Sequence, residues 1–318
     1  MKTSLTKVIR QRASGTLSIA ALLLLAANTQ AQNLFVSTFN SSGNIYEFTP
    51  NATRSTFASG LYYPYAVAFN SAGDLFEADE GSGNVYEFTP NGGSSTFASG
   101  FNSVRGLAFN SAGDLFVADF LGAGTGGSVY EFTPNGGSST FASGLNGPDG
   151  LAVNSAGNLF VGEQFSGDIL EFTPNGASIT FASGAGGPDG LAFDSAGNLF
   201  ASDIFSGNIY KFATNGTRST FASGLSNPWA LAFNNAGNLF EADNQSGNIY
   251  EFTPNGTRST FASLQLVNGP PGAGGPLGLA FQPVPEPCTW ALVGLGLSAL
   301  LVFRRWNVGR PAASETPG

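Results

Sequence analysis

Between residues 33 and 281 the apolar positions alternate with polar ones in runs of four to six residues, and each run stops at a turn rich in Gly, Asn or Ser. A period of two is the mark of a half-buried β-strand, and no run keeps the 3.6-residue spacing of a helix. The stretch 66–100 shows the unit. Strand a is AVAF (66–69), strand b DLFEAD (74–79), strand c NVYEF (84–88) and strand d SSTFAS (94–99). Between them lie Asn70-Ser71-Ala72-Gly73, Glu80-Gly81-Ser82-Gly83 and Thr89-Pro90-Asn91-Gly92. Asn-Gly and Ser-Ala-Gly supply the positive φ that tight hairpins need. Pro90 falls at a strand end, where no ladder donor is lost.

This unit is written six times. The Tyr of Tyr46-Glu47-Phe48-Thr49-Pro50 recurs at 86, 130 and 250, with variants at Leu170 and Tyr210, so the spacings are 40, 44, 40, 40 and 40. Thr-Phe-Ala-Ser recurs with its Phe at 57, 97, 141, 181, 221 and 261. A period near 40 built from four strand-like segments predicts propeller blades. The array opens on a strand b, NLFVST (33–38), and closes on an unpartnered strand a, LGLAF (277–281). Together they complete one blade and leave no open edge. The expected fold is all-β: a six-bladed β-propeller of four-stranded blades, closed by pairing the N-terminal strand with the C-terminal strand.

The segment 147–161 (GPDGLAVNSAGNLFV) and its copies resemble NHL-type repeats and, more broadly, the six-bladed propellers of the gluconolactonase/senescence-marker family. WD-repeat signatures are missing, since there is no His and no Trp-Asp pair. The resemblance spans 32–283 and implies the fold. For activity it implies a metal-dependent lactonase, its metal held by acid and amide side chains from loops at the channel mouth. Asp149 and Asp189 match such positions, each in a Gly-Pro-Asp-Gly context.

The two ends read as addresses. Residues 1–31 carry Lys2, Lys7, Arg10 and Arg12, then an apolar LSIAALLLLAA (17–27) and a small-residue cleavage site ending at Ala31. This is the pattern of a signal peptide. Near the other end, Pro285-Glu286-Pro287 precedes an uncharged run to Phe303 and then Arg304-Arg305. The 17-residue run from Pro287 to Phe303 sits at the lower limit for a membrane span. This order resembles the PEP-CTERM sorting signal of bacteria over 284–306, with 307–318 as a short cytoplasmic tail. The tail is longer than usual, and Cys288 stands where Ser is common. The resemblance implies an exosortase-type processing enzyme as partner, a transient inner-membrane anchor, and a destination at the cell surface, outer envelope or medium, linked to exopolysaccharide.

Composition narrows the chemistry. There is no His, which excludes His-based triads and His-ligated metals, and a single Cys excludes an internal disulfide. Residues 32–283 hold five Lys/Arg against nineteen Asp/Glu, a net charge of −14. So acidic a domain lacks the basic patch that nucleic acid requires.

In a propeller the turns before strand a and between strands b and c share the face around the channel mouth. The residue two places before each Leu-Ala step is Tyr65, Arg105, Asp149, Asp189, Trp229 or Leu277, and it differs from blade to blade. Aromatic rings beside carboxylates suit a sugar, and carboxylates suit a hard cation such as Ca²⁺. Variable loop positions also drift without function. A second ring ends strand b: Thr38, Asp79, Asp119, Glu163, Asp203 and Asp243. Its acids read as caps of the following turn, as in Asx turns, or as a funnel for cations. A metal site would need Asp149 and Asp189 with Glu163 and Asp203. Strand-c acids (Glu47, Glu87, Glu131, Glu171, Glu251) read as solvated charges, with Lys211 in place of one. The Gly-rich insertion 121–127 and the loop 268–276 lengthen turns on the channel face. Asn51, Asn215 and Asn255 open glycosylation-like triplets but belong to turns.

Two functions follow. One is a non-enzymatic binding or matrix module for glycan, exopolysaccharide or a surface protein. The alternative is the divalent-metal-dependent lactonase.

Overall fold

The computed structural model describes residues 31–121, 126–264 and 274–284. Signal peptide and sorting motif (Pro285, Glu286, Pro287, Arg304, Arg305) lie outside these, as do 122–125 of the insertion and 265–273 of the last loop. Residues Ala31–Pro283 make one compact unit.

Six sheets of four antiparallel strands form the blades, each in the order a-b-c-d. Blade 1 joins Pro276–Phe281 as strand a to Leu34–Thr38, Gly43–Phe48 and Arg54–Leu61. Leu34 pairs with Phe281 and Val36 with Leu279, so the ring closes by strand exchange as the repeat predicts. Blade 2 runs Pro64–Phe69, Leu75–Asp79, Asn84–Phe88 and Ser94–Ser99. Blades 3 to 6 occupy 104–145, 148–182, 188–222 and 228–263. Among the described residues there is no helix, and none long and apolar enough to cross a membrane.

The repeated Phe residues hold blade to blade. The strand-b Phe meets the strand-d Phe of its own blade and the strand-a Phe of the next, edge to face. Phe35 lies 5.0 Å from both Phe57 and Phe69, and Phe240 lies 5.1 Å from Phe261 and 4.9 Å from Phe281, across the closure. Such contacts contribute about 0.5–1.5 kcal/mol each beyond the area they bury. Blade 4 carries Val153 where the others carry Phe, and there Phe116 keeps only its own-blade partner, Phe141.

Strand b breaks its own pattern twice. Its third residue is Val36, Val117 or Val161 in three blades but Glu77 and Glu241 in two others, both with no exposed surface. None of their four carboxyl oxygens has a hydrogen-bond partner. Burial, with Asp79 and Asp243 adding to it, pushes both well above the usual carboxylate range, and Arg258 opposes it at Glu241. Both therefore bind their protons more tightly in the folded chain than in the unfolded one. A folded state that binds more protons loses stability as pH rises, here from about pH 4.5 upward, at roughly 1.4 kcal/mol per pH unit for each such group. Replacement by Val, which the same position accepts in other blades, should stabilise by roughly 1–3 kcal/mol per site at pH 7. Urea denaturation of Glu77→Val/Glu241→Val from pH 4 to 8 should show a flatter profile than the parent. An unchanged slope would contradict this.

Candidate functional site

All six ring residues sit on a β-bulge. In blade 2, Pro64 pairs with Asp79 and Val67 with Glu77, so Tyr65 and Ala66 stand against Ala78 alone. The same irregularity carries Arg105, Asp149, Asp189, Trp229 and Leu277. A bulge re-aims a side chain out of the ladder, and these six line the central cavity. Strand a therefore begins at Pro64, two residues before the sequence pattern places it. The pairing passes through the bulge while the alternation does not. After the ring residue comes Gly or Ala. A Cβ on Gly106 or Gly150 would run into the carbonyl of Asp149 or Asp189 in the next blade, so this position sets how closely the blades approach.

The side chains lock together across the mouth. Arg105 Nη1 and the Tyr65 hydroxyl both donate to Asp149 Oδ2, each at 2.9 Å. Arg105 Nε donates to Glu80 Oε1 at 3.1 Å, and Ser103 Oγ donates to the same oxygen at 2.7 Å. The guanidinium lies 3.6 Å from the centre of the Phe120 ring. Tyr65 meets Trp229 edge-on at 5.4 Å. Gln164 Nε2 donates to Asp189 Oδ1 at 2.8 Å. Tyr65, Asp149 and Asp189 are 6%, 2% and 6% exposed, whereas Arg105 and Trp229 are half-buried. The cavity left in the channel is about 90 Å³. Small-ligand pockets start near 300 Å³, so these side chains form a plug with room for water and none for a sugar.

Burial pushes Asp189 well above the usual carboxylate range, and the charge of the neighbouring Asp149 adds to this. Burial also raises Asp149, against the opposing Arg105 and Tyr65. Of the two, Asp189 is the carboxyl that holds its proton longer, and its Oδ2 is buried without a hydrogen-bond partner. Burial and Asp149 raise the Tyr65 phenol, which stays a donor.

The second ring is structural. Asp79 accepts from the Tyr62 N–H at 2.7 Å and the Ser82 N–H at 3.0 Å, joining the loop that enters its blade to the turn that follows strand b. Asp119 holds the Asn102 and Ser103 N–H groups. Asp243 holds those of Ser226 and Ser246. Glu163 accepts from Asn146 N–H and Ser166 Oγ, and Asp203 from Gly187, Phe205 and Ser206. Glu163 and Asp203 are thus occupied by turns, and Asp149 by Arg105. Among the described residues no three His, Cys, Asp or Glu side chains gather to hold a metal. The four acids expected to ligate do not come together, and the set does not fit Ca²⁺, which takes about 6–8 oxygens.

Sequence reasoning missed Glu80, Phe120 and Gln164. They follow strand b directly, in a column that reads Phe39, Glu80, Phe120, Gln164, Ile204 and Asn244 and varies as much as the ring itself. Read beside that ring, the column sets Glu80 against Arg105 and Gln164 against Asp189. Lys211 also has a partner, Asp194 at 3.5 Å, at a turn position where blades 2, 3, 4 and 6 carry Asn.

No known protein family matches the chain, and no curated protein matches it in sequence. Solved structures do match in fold. A chain of the nidogen/laminin complex superposes with a TM-score of 0.69 at 17% identity, covering 80% of this chain and 99% of its own. Virginiamycin B lyase from Staphylococcus aureus gives 0.57 at 15% identity, covering 79% and 89%. A gluconolactonase from Xanthomonas campestris gives 0.56 at 18%, covering 63% and 75%. At these identities the likeness concerns the fold.

Removing Arg105 strands Asp149 with its charge buried. Arg105→Ala should therefore lower stability by about 3–5 kcal/mol. Arg105→Met/Asp149→Leu should recover most of that loss in urea denaturation. A single-variant loss below about 1 kcal/mol, the range of an exposed pair, would contradict the plug.

Proposed function

We propose that this chain is an exported, surface-sorted propeller that binds exopolysaccharide or another surface component through its channel face, without catalysis. One observation carries the reading. Of the five large hydrophobic side chains that stand exposed among the described residues, four lie on that face: Tyr62, Leu121, Phe165 and Phe205. The fifth, Ile179, lies on the outer strand of blade 4. Leu121, Phe165 and Phe205 occupy the turn after strand b in blades 3, 4 and 5, where blades 1, 2 and 6 carry Asn40, Gly81 and Gln245. Apolar side chains gathered on one rim mark an interaction surface. The signal peptide and the Pro285-Glu286-Pro287 to Arg304-Arg305 segment support export and handling by an exosortase-type enzyme.

The enzymatic alternatives lack their chemistry. A catalytically inactive form of the Staphylococcus aureus lyase carries a His-to-Ala exchange, and this chain has no His to begin with. The lactonase reading needs a metal, and its two matching acids are engaged with Arg105, Tyr65 and Gln164.

Two outcomes are expected. Phe165→Ser/Phe205→Ser should weaken retention of the purified chain on exopolysaccharide from the producing cells by at least about tenfold, or about 1.4 kcal/mol, while Ile179→Ser should leave it unchanged. Equal retention by all three proteins would remove the channel face from the account. Melting temperatures in EDTA and in millimolar Ca²⁺ should agree, since only a bound ion stabilises the folded chain. A Ca²⁺-dependent rise that disappears in Asp149→Asn would instead revive the lactonase.

A further inference from the structure

A second cavity opens on the channel face beside the plug, over blade 1. It measures about 400 Å³, within the size range of small-ligand sites, about 300–1,000 Å³. Phe39, Tyr65 and Trp229 form its aromatic walls, and Asn227, Asn244 and Gln245 supply amides. Leu277 lines it from blade 1, a ring position with an apolar side chain. Among the described residues no Asp, Glu, Lys or Arg lines it.

Two polar atoms here are buried without a partner: the Trp229 Nε1–H, a donor, and Asn227 Oδ1, an acceptor. Buried polar groups are nearly always paired, so each unpaired one calls for an explanation. Asn227 is held at φ 66°, while its backbone carbonyl accepts from the Asn244 N–H at 3.1 Å, so the loop bearing it is fixed from outside. Asn244 Nδ2 donates to the Pro276 carbonyl at 3.3 Å, and Gln245 Oε1 accepts from Ser226 Oγ at 3.2 Å, which leaves the Gln245 amide N–H groups to solvent. The rings are fixed too, with Phe39 meeting Tyr65 at 6.0 Å and 89°, and Tyr65 meeting Trp229 at 5.4 Å and 80°.

We propose that this cavity, bounded by Phe39, Tyr65, Asn227, Trp229, Asn244 and Gln245, is a binding site for a neutral sugar residue. A hydroxyl both donates and accepts, which suits an unpaired indole N–H and an unpaired amide oxygen. The C–H face of a pyranose suits fixed aromatic walls. A uronate or amino sugar would bury a charge with no counter-charge in the lining. The proposal rests on the binding reading above and gives that face a ligand class and an address distinct from the Phe165 and Phe205 rim.

The chain has three Trp, at 229, 290 and 306. In the full chain carrying Trp290→Phe and Trp306→Phe, fluorescence reports Trp229 alone. Titration with cellobiose, lactose and maltotriose should give a saturable change in emission with at least one of them. Glucuronic acid and glucosamine should bind at least about tenfold more weakly. By calorimetry, Asn227→Gly, which suits the positive φ, and Trp229→Phe, which keeps a ring but loses the N–H, should each weaken binding at least about tenfold, as loss of a buried hydrogen bond does. Ile179→Ser, on the outer strand of blade 4, should bind these sugars like the parent. Unchanged affinity in both pocket variants, tighter binding of the charged sugars, or no response to any neutral sugar would overturn the proposal. If exopolysaccharide retention persists through such a failure, the pocket alone falls. If retention is also absent, the binding reading falls with it.

Discussion

In every blade two residues of strand a stand against one of strand b, and the small residue behind the bulge lets the next blade's carbonyl approach. This repeated mismatch is what the channel mouth depends on. It takes six side chains out of the ladders and points them at one another, on a ring whose radius is set by backbone contact. The blades can therefore be nearly identical in their Phe contacts while the ring above them differs at each position. Regular packing supplies the scaffold, and a small departure from regular pairing supplies the place for individuality.

That individuality first closes the mouth. The Arg105–Asp149 pair and the Tyr65 hydroxyl satisfy one another inside the ring, and Gln164 holds Asp189 beside them. Around the plug the face divides in two. Over blades 3 to 5 it carries exposed apolar side chains, and over blades 6, 1 and 2 it carries amides and aromatic walls. A surface built so unevenly on so regular a frame is suited to recognition. Of its buried acids, Asp149 is held by Arg105 and Tyr65 and Asp189 by Gln164.

The fold was legible because its signals are local and repeated six times: alternation, Asn-Gly turns and the Phe columns. The strand exchange followed from counting strands at the two ends. The start of strand a was not legible, because Pro64 and Tyr65 belong to the ladder only through a bulge. The ring residues were found by their variation, and the caps on Asp79 and Asp243 by their repetition. What variation could not tell was direction. Tyr65, Asp149 and Asp189 looked available to a ligand, yet they face each other across the mouth. Gln164, which holds Asp189, and Glu80, which holds Arg105, come from a different loop, and those contacts exist only once the blades are closed. The burial of Glu77 and Glu241 is not legible in the strand pattern, and blade packing alone covers them.

The claim that the mouth is a closed plug bears most directly on the protonation of its acid pair. Carboxyl ¹³C shifts of Asp149 and Asp189, followed from pH 3 to 8 with and without millimolar Ca²⁺, measure it. A single proton retained by the pair through neutral pH, with Asp189 protonated and no response to Ca²⁺, is the result this account predicts. Ionisation of both carboxyls in the ordinary range, or a Ca²⁺-induced shift at both, would contradict it and reopen the mouth as a metal site.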